Sequence, residues 1–245
     1  MSLSEKVVLI TGATKGIGKA TTLRVASEGA SVVINYNSDS ASADSLVKEI
    51  GEDRALAVQA DVSKLPDLDR LVDAAVAKFG QIDVLIPNAG ILPMRDLEHT
   101  SEADFDFTYN LMVKGPYFLV QKAAKHIPSG GRVILVSTGV TVLSNIAPAY
   151  LLYASAKAAV EQIARVMAKD LARNGILVNC IAPGPTTTGL FLEGKSDQML
   201  KMVAGFSPFG RIGEPEEIAN AVSFLCGKDS SWVSGQVLRV NGAMA

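Results

Sequence analysis

The sequence is poor in residues that mark several protein classes. Of its 245 residues only two are cysteines, Cys180 and Cys226, both in apolar surroundings. That argues against a disulfide framework and suggests a reducing compartment. The two histidines, His99 and His126, lack metal-ligand spacing, so no metal site is expected. Neither sign of charge dominates. The 23 Lys and Arg and 25 Asp and Glu leave a formal net charge of -2, and no basic run stands out. Nucleic acid and anionic membranes are therefore not expected as partners. No uninterrupted apolar stretch is long enough to span a bilayer. The N-terminus shows no cationic region followed by a hydrophobic run, so no signal peptide is expected. These absences together predict a cytoplasmic protein.

What is present is a globular composition. Apolar residues make up 48% of the chain, enough for a sizeable core. Strand-like runs alternate with helical spacing almost throughout. The strands read as residues 6–11, 31–36, 55–59, 82–86, 132–136, 176–181 and 236–240. The helices read as 16–28, 44–50, 66–79, 102–127, 153–172 and 215–226. This alternation predicts a single α/β domain over residues 1–245. Its centre is a doubly wound, Rossmann-type parallel sheet of about seven strands with helices on both faces. Two stretches read as irregular, about 138–152 and 183–210. Both follow strands, so both belong at the carboxyl edge of the sheet, where open parallel sheets bind ligands.

Three stretches carry chemistry. The first is Thr11-Gly12-Ala13-Thr14-Lys15-Gly16-Ile17-Gly18, between a strand and a helix. Its glycines allow backbone to approach a pyrophosphate, and the helix N-terminus attracts the charge. The second is Asn88-Ala89-Gly90, after the fourth strand. The third is Tyr153-Ala-Ser-Ala-Lys157. Positions i and i+4 share a helix face, so a phenol lies beside an ammonium. An adjacent cation favours the phenolate and lowers the phenol pKa, which suits a general acid/base.

In this order the motifs resemble the short-chain dehydrogenase/reductases. Pro183-Gly184 and the tail from Pro208 through Asn241-Gly242 fit as well, so the resemblance covers essentially the whole chain. It implies roles for single residues. Tyr153 is the acid/base, and Lys157 tunes it and binds the nicotinamide ribose. Asn110 holds a water in the proton relay. Asp61 and Val62 contact the adenine, and Asn88, Ala89 and Gly90 lie beside its ribose. Thr186 and Thr188 meet the nicotinamide amide and the cofactor phosphate. Thr138 stands where the family has a carbonyl-binding serine, with Ser137 as the fallback one residue earlier. A second departure is Pro87, where the family often has an asparagine.

The resemblance also bears on the cofactor. NAD-preferring relatives carry an acidic residue at the end of the second strand. Here Tyr36 occupies that position, followed by Asn37, and Lys15 offers a cation for a 2′-phosphate. NADP(H) is the implied cofactor, and ketone reduction the implied direction. A lid over about 186–209 holds Leu190, Phe191, Leu192, Met199, Met202 and Phe206, which favours a hydrophobic or bulky ketone as the small-molecule substrate. The tail and the Tyr153 helix resemble fungal polyketide reductases acting on naphthol-type ketones, and also bacterial 3-oxoacyl-carrier-protein reductases. A homotetramer built on the two long helices, about 102–126 and 153–172, and the C-terminal segment is implied too. The rivals are an NAD-linked alcohol dehydrogenase and a dinucleotide-binding protein without catalysis.

Overall fold

A computed structural model describes residues 2–244. Seven strands form one parallel sheet in the order β3-β2-β1-β4-β5-β6-β7. They are β1 (Val7–Ile10), β2 (Ser31–Tyr36), β3 (Ala55–Gln59), β4 (Val84–Ile86), β5 (Arg132–Val136), β6 (Leu177–Pro183) and β7 (Val237–Val240). The intervening α-helices are α1 (Gly16–Ser27), α2 (Ser40–Ile50), α3 (Leu65–Phe79), α4 (Glu102–Tyr109), α5 (Gly115–Ala123), α6 (Leu151–Leu171), α7 (Gly189–Leu192), α8 (Asp197–Ala204) and α9 (Pro215–Cys226). The chain winds outward through β1, β2 and β3, then returns to β4 on the other side of β1. That reversal opens a crevice at the carboxyl ends of β1 and β4.

Both faces of the sheet are buried, so the strands read as continuous apolar runs instead of alternating ones. Successive side chains still point to opposite faces. Val7, Leu9, Leu85, Val133 and Leu135 pack with α3, α5 and α6 on one side. Val8, Ile10, Val84, Ile134 and Val136 pack with α1, α2 and α9 on the other. The helices are stopped where the sequence says they must be. Gly80 closes α3 with a φ of 82, a left-handed conformation that glycine adopts without strain. Pro215 opens α9 just after its Glu214 cap. No helix among the described residues is long and apolar enough to cross a membrane.

Two expectations are corrected. The single long helix over 102–127 is interrupted. A π-helical turn, Asn110–Lys114, separates α4 from α5, and a 3-10 turn follows. Just past this turn a side chain on Gly115 would run into the carbonyl oxygen of Val62, so the chain packs closely there. The stretch 183–210 is not irregular either. It holds α7 and α8, capped by the hydroxyls of Thr188 and Ser196. The loop after β5 contains 3-10 turns at Gly139–Val142 and Pro148–Tyr150.

At the opposite edge, a buried carboxylate ties the start of β4 to β1. Asp83 accepts from Lys6 Nζ at 2.9 Å, from the Val7 N–H at 2.9 Å and from Gln81 Nε2 at 3.0 Å. Removing it leaves a buried N–H without a partner. Asp83→Ala is expected to lower unfolding free energy by about 2–4 kcal/mol, read from urea midpoints, with Asp83→Asn losing less.

Candidate active site

The glycine-rich turn leaves β1 at Thr11 and enters α1. Gly12 and Gly16 have φ values of 60 and 50, so the turn needs residues without a Cβ. At Gly18 an added Cβ would meet the Gly12 carbonyl oxygen, so turn and helix are in direct backbone contact. Helices α2, α4 and α8 begin with a side-chain acceptor, from Asp39, Ser101 and Ser196. Helix α1 does not: its cap position is Lys15, which makes no capping bond, and its first turn has no acidic residue. Its leading N–H groups are therefore not met by a side-chain cap, and the helix end carries partial positive charge. Such a terminus fits a pyrophosphate. Thr14 is buried in this turn, and Ile17 packs into the core beside α1.

Two side chains to which sequence reasoning gave no role, Thr11 and Asn35, hold the turn in place together with Asn88. The Thr11 hydroxyl accepts from the N–H groups of Asn88 (2.9 Å) and Ala89 (3.0 Å). Asn88 Nδ2 donates back to the carbonyls of Thr11 (2.9 Å) and Gly12 (3.2 Å). Asn35 Nδ2 donates to Ala60 O at 3.0 Å, while its Oδ1 accepts from the Gly12 N–H at 3.4 Å. The ends of β1, β2, β3 and β4 are thereby one hydrogen-bonded unit. Thr11 and Asn35 look like ordinary strand residues in sequence, because their partners are far away in the chain.

At the adenosine end, Tyr36 is half-buried and Asn37 exposed. The end of β2 offers no carboxylate, but Asp39 lies three residues on. It caps α2 and pairs with Lys15 Nζ at 2.9 Å. Asp61 is engaged in its own turn, accepting from the Ser63 N–H (3.1 Å) and hydroxyl (2.7 Å) and pairing with Lys64 at 3.2 Å. Val62 is buried beneath the π turn.

The chemical end gathers around α6. Tyr153 and Lys157 lie one turn apart on it. Lys157 is buried and donates to the Val136 carbonyl at 2.7 Å. Gly90 faces it: a Cβ there would lie 3.6 Å from Lys157 Nζ and 3.6 Å from Met112 Sδ in the π turn. Asn110 opens that turn, and its carbonyl accepts from the Gly115 N–H. The neighbouring Tyr109 hydroxyl donates to Ser155 Oγ at 3.2 Å, which fixes the turn against α6. π turns inserted in α-helices often mark functional sites. The Thr138 side chain lies near enough to the Tyr153 phenol to act on its pKa. Ser137 points the other way, its hydroxyl 2.9 Å from Glu161 Oε1 and 3.2 Å from the Lys157 carbonyl.

One expected pKa direction is reversed. Burial pushes the Tyr153 phenol above its ordinary value. The Thr138 side chain acts against that rise, and Tyr150 adds to it. The Tyr-Lys spacing alone had implied a lowered value. The ammonium instead serves the Val136 carbonyl, and desolvation brings its own pKa down to about 8.

The stretch expected to form a lid begins over the glycine-rich turn. Pro183 ends β6, and Gly184 packs so closely on Asn241 that a Cβ would lie 2.8 Å from its Cα. Thr186 is buried and donates to Gly184 O at 2.9 Å. Thr188 caps α7, and its methyl would lie 2.9 Å from a Cβ on Gly16. A cavity of about 340 Å³ beneath α8 is lined by Val203, Phe209, Ile218 and Met244 among others, and holds neither Tyr153 nor Thr138 in its wall.

A doubly wound parallel sheet with a glycine-rich turn after its first strand is the architecture of dinucleotide-binding proteins. Comparison with known proteins refines this. A family model described as enoyl-(acyl carrier protein) reductase matches residues 12–244. A hydroxynaphthalene reductase-like protein of Metarhizium robertsii is 39% identical over 98% of this chain and 95% of its own. An NADPH-dependent aldehyde reductase-like chloroplastic protein of Arabidopsis thaliana is 36% identical over 99% of this chain and 95% of its own. A solved short-chain dehydrogenase of Burkholderia cenocepacia, in complex with NADP, superposes with a TM-score of 0.94 at 30% identity, covering 100% of this chain and 99% of that one. The chain belongs to the short-chain dehydrogenase/reductase family.

A lysine held at a pKa of about 8 opposes folding at neutral pH. Its folded value lies below the ordinary 10.5, so the penalty is fully present below pH 8 and fades as pH rises towards 10.5. Lys157→Met is therefore expected to be more stable than wild type at pH 7, by about 1 kcal/mol, with the gain shrinking at pH 10. Urea unfolding at the two pH values checks both the sign and the trend.

Proposed function

We propose that the protein is an NADP(H)-dependent ketoreductase that reduces a hydrophobic or bulky ketone, reversibly. Residues 1–245 act as one dinucleotide-binding and catalytic unit, with 186–209 as the substrate lid. The observation that carries the reading is the Tyr153 phenol beside Thr138 and one helical turn from the buried Lys157, at the edge where the glycine-rich turn opens. When bound, NADPH supplies the hydride. The glycine-rich turn and the N-terminus of α1 hold its pyrophosphate, Lys157 borders the nicotinamide ribose, and Asn88, Ala89 and Gly90 lie beside the adenine ribose. Tyr36 offers the 2′-phosphate no repulsion. Lys15 leaves the exposed Asp39 pair to meet it, and such a pair is weak enough to exchange.

The proton chemistry belongs to this chain's own groups. Thr138 donates to the ketone oxygen, as a hydroxyl can. Tyr153 gives that oxygen a proton. The phenol carries its proton at neutral pH, as the donor in the reductive direction must. Lys157, with a water held by Asn110 at the π turn, resupplies the proton. The exposed Leu190, Leu192, Met199, Met202 and Phe206 of the lid favour an apolar substrate. The same reading assembles four copies through the α4–α5 and α6 faces and the C-terminal segment, where Phe107, Val166 and Trp232 are exposed.

The test is NADPH oxidation against aryl and cyclic ketones, with a 3-oxoacyl thioester and an enoyl thioester as competing arms. Ketone turnover with NADPH preferred over NADH in kcat/KM is the expected result. Thr138→Ala is expected to lower kcat about 10²–10³-fold, and Ser137→Ala no more than about tenfold. The reverse order would assign the carbonyl to Ser137. Turnover of the enoyl thioester alone would replace the ketone reading.

A further inference from the structure

Helix α6 carries a third polar group on its inner face. Glu161 lies one turn beyond Lys157 and two beyond Tyr153, among the buried Val160 and Ala164. Its side chain is only 6% exposed. A buried carboxylate is unfavourable unless its oxygens are met, and these are. Oε1 accepts from the Ser137 hydroxyl at 2.9 Å and from the Thr141 hydroxyl at 2.6 Å. Oε2 pairs with Arg165 at 3.4 Å. Each hydroxyl has one proton and a second acceptor nearby. Ser137 Oγ is 3.2 Å from Lys157 O, and Thr141 Oγ1 is 3.0 Å from Thr138 O. The carboxylate oxygen is the closer and the charged partner in both cases, so it receives both protons.

One oxygen atom therefore grips the chain on both sides of Thr138, one residue before it and three after. Thr138 sits between them in extended backbone, φ -159 and ψ 151, where β5 gives way to the 3-10 turn. We infer that Glu161 is a positioning residue: it locks the end of β5 and the turn after it to α6, and so sets the Thr138 hydroxyl against the Tyr153 phenol. It touches neither substrate nor cofactor. The inference rests on the assignment of Thr138 as the carbonyl-binding hydroxyl.

The test is a cycle of Glu161→Ala and Glu161→Gln, each in wild type and in Thr138→Ala, with single-turnover ketone reduction and NADPH affinity by nucleotide fluorescence. Misplacing a reacting group by about 1 Å lowers rate by as much as 10²-fold. Glu161→Ala is expected to lower the reduction rate about 10–100-fold while leaving NADPH affinity within about twofold. Glu161→Gln keeps an oxygen that both hydroxyls can reach, and is expected to retain the rate within about threefold. In the Thr138→Ala background, Glu161→Ala is expected to change the rate by less than about twofold, because the group it positions is already gone. Equal losses in both backgrounds, a parallel loss of NADPH affinity, or Glu161→Gln behaving like Glu161→Ala would each overturn the role. Thr141→Val removes one arm of the clamp, leaves the carboxylate paired with Ser137 and Arg165, and enters the same cycle should Glu161→Ala not fold. It is then expected to lose several-fold in rate, and an unchanged rate overturns the role. Thr138→Ala with wild-type rate overturns the underlying assignment instead. Low activity in Thr138→Ala beside an unimpaired Glu161→Ala overturns only the role of Glu161.

Discussion

A hydrogen bond from the buried Lys157 ammonium to the Val136 carbonyl, together with the Glu161 clamp, joins the helix that carries Tyr153 to the end of the strand that leads into Thr138. The rest of the site is built outward from that junction. Tyr153 lies one turn earlier on α6, and Thr138 two residues beyond Val136, so the bond fixes the separation on which their contact depends. It also explains why burial is tolerated. The ammonium keeps a strong acceptor, yet its pKa still falls to about 8, because one carbonyl does not replace a hydration shell.

The fold supplies the other constraint. With helices on both faces, the sheet leaves open only the ends of its strands, and every element of the site sits at one of those ends. The turn after β1, the Asn88-Ala89-Gly90 segment after β4 and the π turn before α5 meet there without any long-range design visible in their own sequences. Buried hydrogen bonds from Thr11 and Asn35 make these loops rigid, and rigid placement is what a hydride acceptor and a proton donor both need.

Much of this was legible in the residues. β2 and α9 have the bounds their apolar runs and capping residues indicate, because local signals agree with burial there. The positions of the glycine-rich turn and of Tyr153 and Lys157 one turn apart on a helix also follow, since those patterns are local in sequence. What was not legible depends on distant partners. Gly115, which closes the π turn, must pass the Val62 carbonyl from a distant part of the chain. Glu161 reads as one more polar residue on an amphipathic helix until Ser137, 24 residues away, is brought to it. Asp39 is offset from the end of β2, so counting along the strand misses the carboxylate that pairs with Lys15. The direction of the Tyr153 shift was misread for the same reason: spacing gave its neighbour, but burial and the orientation of the ammonium decide its pKa.

The central claim is that Tyr153 delivers the proton at this edge of the sheet. The most direct measurement is single-turnover oxidation of NADPH by an aryl ketone in Tyr153→Phe, alongside NADPH binding followed by fluorescence. The account predicts binding within about twofold of wild type and a rate at least about 10³-fold lower, since the ring is kept and only the proton is lost. Binding that persists together with a rate within about tenfold of wild type would contradict it, and would place the acid elsewhere.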